Sequence, residues 1–161
     1  MEIWQKLLIT GWGIFGLLGS LIGFIKCKYK RDQLGWDGIF TVYGAFVWAD
    51  IIIFGIFWAI ASLVALFINN WILFLLLLSV FWVVRSLGET IYWFNQQFST
   101  VIRYSPEKIH WLAKIFHDNY TIWFVFQICM QCITVASLIL SIYFANLWLR
   151  WGILKLICSN G

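Results

Sequence analysis

The chain has 161 residues and a mass of 18.9 kDa; 63% of its residues are apolar, 20% aromatic and 11% charged, and its mean hydropathy is +0.88. Soluble domains carry about 25% charged residues, so this chain has too few charges to cover a water-facing surface, which excludes an ordinary soluble enzyme or a separate extramembrane domain. The net charge of +4 comes from 11 Lys and Arg against 7 Asp and Glu, and the basic residues stand beside apolar runs, where topology and lipid headgroups account for them without nucleic acid.

A helix needs about 20 apolar residues to cross about 30 Å of hydrocarbon, and four segments meet that length. The first covers residues 7–25 and is followed at once by Lys26, Lys28, Lys30 and Arg31. Glu2 lies ahead of it and no small-residue cleavage pattern closes it, so it is expected to remain as an anchor rather than leave as a signal peptide. It carries Gly11, Gly13, Gly16, Gly19 and Gly23, with Gly16 to Ser20 and Gly19 to Gly23 four apart. Small residues at that spacing let another helix approach closely, so Gly16, Gly19, Ser20 and Gly23 are predicted to be a helix-packing face.

The second segment, residues 38–68, holds a single charge, Asp50, and as one helix would extend roughly 46 Å. It is therefore expected to be tilted, broken, or to project from the membrane. Asn69 and Asn70 form a tight connection to the third segment, residues 71–98, which is apolar apart from Ser79 until it reaches Arg85 and Glu89. Residues 105–118 read as an amphipathic interfacial helix. Ser105, Pro106 and Glu107 suit its start, and Ile109, Leu112, Ala113 and Phe116 recur at helical spacing. The fourth segment covers residues 119–149. Basic residues crowd the first and third connections, which places both termini on the non-cytoplasmic side, although Arg150 and Lys155 pull the other way. Many of the 12 Trp, among them Trp4, Trp36, Trp71 and Trp93, fall near segment ends, as rings that prefer headgroup depth do.

The sharpest feature is charge at membrane depth, where an unpaired ion costs a few kcal/mol. Counted from the Asn69–Asn70 turn, Asp50 lies roughly 27 Å back, and Arg85 and Glu89 lie about 22 and about 28 Å forward. An intramembrane network of Asp50, Arg85 and Glu89 is expected, continued along the third helix by Tyr92 and Gln96. On the fourth helix Asn119, Trp123, Gln127, Gln131 and Thr134 make a polar line, with Ser137 and Ser141 farther on. Gln127 and Gln131 are placed to bond to Asn95, Gln96 or the Arg85 network.

Cys129 and Cys132 form a CxxC, a pair that can pass electrons to a quinone in thiol–disulfide membrane enzymes. The stretch Cys129–Thr134, reading CxxCIT, resembles that of the vitamin K epoxide reductase family. The resemblance implies a redox role for the two thiols with a quinone as acceptor. That family has a second cysteine pair in the loop after its first helix, where this chain has Cys27 alone. His110 and His117 share a helix face without a third ligand, so no metal is expected. The chain is predicted to be an all-α polytopic membrane bundle: a single integral membrane domain of four transmembrane helices and one interfacial helix. Its partners are the lipid bilayer and a membrane protein or further copies of itself. The favoured function is a small non-catalytic subunit supporting a larger membrane complex. The alternatives are a conduit or carrier for an ion, proton or polar solute built on the Asp50–Arg85–Glu89 network, and a lipid- or quinone-linked enzyme.

Overall fold

A computed structural model describes residues 1–33, 35, 38–100, 114–116 and 118–159. Its elements are α1 (Ile3–Tyr29), a 3-10 helix (Gly38–Tyr43), α2 (Trp48–Ile68), α3 (Trp71–Phe98) and α4 (Asn119–Ser159). Among the described residues these four α-helices are long and apolar enough to cross a bilayer. The chain is an all-α integral membrane protein. Residues 105–113 and 117 of the expected interfacial helix lie outside the described residues. The chain forms two compact units, one of residues 1–77 and 146–161 and the other of residues 78–145.

In the first unit α1 starts at a capping box. The Glu2 side chain accepts from the Gln5 backbone, and the Gln5 side chain accepts from the Glu2 amide at 2.9 Å. Its glycine face then packs against α2 running the other way. Gly16 and Gly55 meet backbone to backbone: a Cβ on Gly16 would sit 2.9 Å from the Gly55 carbonyl oxygen, and one on Gly55 would overlap the Gly16 oxygen and Ser20 Oγ. Gly19 abuts Ile51, Gly23 abuts the Trp48 carbonyl, and Ser20 Oγ donates to the carbonyls of Ile51 (3.1 Å) and Ile52 (3.0 Å). Of the buried α1 positions, 9, 13, 16, 20 and 23 alternate steps of four and three, the period of a tight antiparallel seam, with buried Gly19 beside Ser20. Gly16, Gly19, Ser20 and Gly23 are thus occupied by a helix of the same chain.

The 38–68 run is broken. Its first six residues form the 3-10 helix, Gly44 takes φ 75°, and α2 begins only at Trp48. The break makes a hairpin: Trp48 N–H donates to the Gly35 carbonyl (3.0 Å) and Ala49 N–H to that of Gln33 (3.3 Å). The hairpin dips alongside α1. Phe40 meets Gly19, while the Tyr43 ring meets Gly16, about 15 Å along the axis from Lys26. Tyr43 Oη donates to the Trp12 carbonyl at 2.8 Å, and Trp58 Nε1 donates to the Tyr43 carbonyl at 3.4 Å. Irregular backbone at such depth persists only where protein covers it. Here Trp12 stacks on Tyr43 (4.5 Å between centroids), with Phe15, Phe40 and Trp58 closing round it. The Asp50 carboxylate accepts from the Phe46 amide at 3.2 Å, which ties the returning limb of the hairpin to the first turn of α2, where an acid also suits the helix dipole.

Asn69 ends α2 in the left-handed conformation (φ 54°), and Asn70 starts α3 by accepting the Leu73 amide on its Oδ1 at 3.0 Å. Asn is among the residue types that adopt positive φ at least cost. Phe74, fully buried, carries the beginning of α3 into the Trp12 and Trp58 cluster.

Candidate functional site

Apart from Asp50, the polar residues that the sequence marks at membrane depth lie in the second unit. Three contacts fix α3 and α4 as antiparallel neighbours: Ser86 with Thr134, Trp93 with Phe126, and Gln97 with Gln127. The inward face of α4 reads Trp123, Gln127, Met130, Thr134, Ser137 and Ser141, in steps of four and three, with Gln127 and Thr134 half-buried and the rest buried. The hydroxyls of Thr134 and Ser141 on this face bond to protein oxygens instead of meeting lipid.

At the centre of the seam Ser86, fully buried, has its Oγ 2.8 Å from Thr134 Oγ1. Each hydroxyl has a single proton. Ser86 Oγ also reaches the Trp82 carbonyl, and Thr134 Oγ1 reaches the Met130 carbonyl at 2.8 Å, so whichever hydroxyl donates across the seam leaves the other to donate to its own helix. Thr90 Oγ1 donates to the Ser86 carbonyl (2.9 Å) and Ser141 Oγ to the Ser137 carbonyl (2.8 Å). Towards one end Trp93 stacks on Phe126 with centroids 4.8 Å apart, and the Gln97 amide donates to the Gln127 side-chain oxygen at 2.6 Å.

Beside this seam runs a second polar stripe. Arg85 and Glu89, one turn apart on α3, form an ion pair at 2.7 Å; the Arg85 side chain is 16% exposed and Glu89 is 8% exposed. Gln96, on the same flank of α3, is 4% exposed, and Tyr92 is half-buried. Two opposite charges held together in hydrocarbon avoid the cost of either alone. Asp50 belongs to the first unit, where its carboxylate takes the Phe46 amide.

The structure therefore brings Arg85 to Glu89 and Gln127 to a glutamine one residue beyond Gln96. Gln131 is exposed and its side chain makes no hydrogen bond among the described residues. It stands 11 residues into the Tyr120–Arg150 span, about 17 Å along the axis. Cys129 and Cys132 are free thiols on the exposed side of α4, away from the seam, and Cys27 is also free. Among the described residues no three His, Cys, Asp or Glu side chains gather. Ser86, Thr90, Gln97 and Met130 are seam residues that a polar line drawn in steps of four does not select. The alternation of four and three was the signal that would have found them.

No family model, curated protein or solved structure matches the chain.

Proposed function

We propose that the chain is a small non-catalytic membrane subunit whose α4 seats a helix of another protein, supporting assembly or stability of a larger complex. The observation that carries this reading is Gln131. Its carboxamide, exposed within the Tyr120–Arg150 span, has no hydrogen-bond partner among the described residues. A polar side chain that faces hydrocarbon is costly, and an amide from a neighbouring transmembrane helix relieves that cost. Gly88 lends support: it lies on the exposed side of α3 with nothing within 4 Å of the position a Cβ would take. A helical glycine costs about 1 kcal/mol relative to alanine, and nothing described within the chain offsets that cost at this position.

A photoreactive phenylalanine placed at position 131 in the native membrane is expected to crosslink to a second polypeptide, while the same probe at Ser137, buried in the seam, is expected to give none. Adducts from position 131 that consist of lipid alone would contradict the subunit reading.

The Arg85–Glu89 pair favours a second reading, a conduit or carrier for an ion or small polar solute. An arginine at that depth can orient an anion and a carboxylate can relay a proton.

A further inference from the structure

We propose that the basic collar at the C-terminal end of α1 binds the phosphate of anionic phospholipid headgroups. Lys26, Lys28, Lys30 and Arg31 stand within six residues of one another, and none makes an ion pair among the described residues. Lys28, Lys30 and Arg31 are exposed. Two of the cations are anchored through rings: Lys26 Nζ lies 5.0 Å from the centroid of Trp48, and Lys28 Nζ lies 5.3 Å from Phe24 and 5.6 Å from Tyr29. Their stems thus run along apolar surface while the ammonium groups stay at headgroup depth.

The described acids nearby are turned elsewhere. The Asp32 carboxylate lies against Gly35, where a Cβ would overlap it, and that of Asp50 takes the Phe46 amide; Asp37 lies outside the described residues. The backbone points the same way. The amides of Lys30 and Asp32 both turn back to the Lys26 carbonyl, and Arg31 between them has φ 51°. That left-handed position after a helix is usually given to glycine or asparagine, so the chain accepts a conformational cost to hold a guanidinium there. The re-entrant hairpin then begins at Gln33 and Gly35, so the collar flanks its mouth. The same four cations place this connection on the cytoplasmic side, the leaflet in which anionic lipid gathers.

The test uses the full chain in phosphatidylcholine liposomes containing spin-labelled phosphatidylglycerol or phosphatidylcholine, and measures the motionally restricted fraction of each. The expected result is several-fold stronger restriction of phosphatidylglycerol. Each neutralised residue should remove up to about fivefold, so the preference should vanish in the triple variant Lys28→Gln/Lys30→Gln/Arg31→Gln. It should survive in Lys28→Arg/Lys30→Arg, which keeps the charge, and in Lys6→Gln at the other end of α1. Unchanged helical circular dichroism shows that the variants fold. Equal restriction of the two lipids by the wild type, or a preference that persists in the folded triple variant, would overturn the proposal. Inorganic phosphate at constant ionic strength is expected to leave the preference intact; its abolition would assign the collar to free phosphate and overturn the lipid source.

Discussion

Gly55 and Gly88 are both helical glycines in apolar segments, yet a methyl group meets backbone at one and open space at the other. Gly55→Ala should force α1 and α2 apart and lower stability by about 1–3 kcal/mol, the usual range for overpacking. Gly88→Ala should leave the isolated chain unchanged or stabilise it by up to about 1 kcal/mol. Denaturant unfolding in bicelles measures both, and a Gly55→Ala chain as stable as the wild type would contradict the packing described. The α1 half of this contact was legible because Gly16, Gly19, Ser20 and Gly23 repeat at helical spacing. Gly55 was not, because it stands singly among bulky residues and its meaning comes only from the backbone opposite.

At the scale of elements, the excess length of residues 38–68 already required a tilt, a break or a projection, but sequence did not choose among them. What chose was tertiary packing: Phe40, Tyr43 and Trp48 bury their rings on α1 and α2 only if the chain turns at Gly44, whose φ of 75° suits glycine. The α3–α4 seam shows the opposite limit. A polar line in steps of four, 119 to 123 to 127 to 131, drifts about 40° per step round a helix of 3.6 residues per turn. That drift carries Gln131 off the seam and brings Met130 onto it. On the neighbouring flank, Arg85→Met should leave the Glu89 carboxylate without its ion-pair partner and destabilise the chain by about 3–5 kcal/mol. Arg85→Met/Glu89→Gln should recover most of that loss. If the pair serves only to neutralise charge within α3, liposomes bearing the double variant should show the same ion flux as wild type; flux lost from a correctly folded double variant would move the function to the conduit reading.

For the whole molecule, the membrane class was legible from composition, because 11% charged residues cannot solvate a chain of this size. The identity of what it contacts was not, since a lipid-facing and a partner-facing surface are both apolar and differ only in isolated positions such as Gly88 and Gln131. With the glycine face of α1 occupied by α2 of the same chain, the case for a partner rests on those outward positions. The most direct measurement is native mass determination after extraction from the native membrane in a mild detergent. A subunit should appear as an assembly heavier than the 18.9 kDa chain by at least one further polypeptide, and Gln131→Leu, folded as judged by circular dichroism, should release the chain alone. A lone chain from the wild-type membrane, or an assembly that Gln131→Leu leaves intact, would contradict the proposal that Gln131 seats a partner helix.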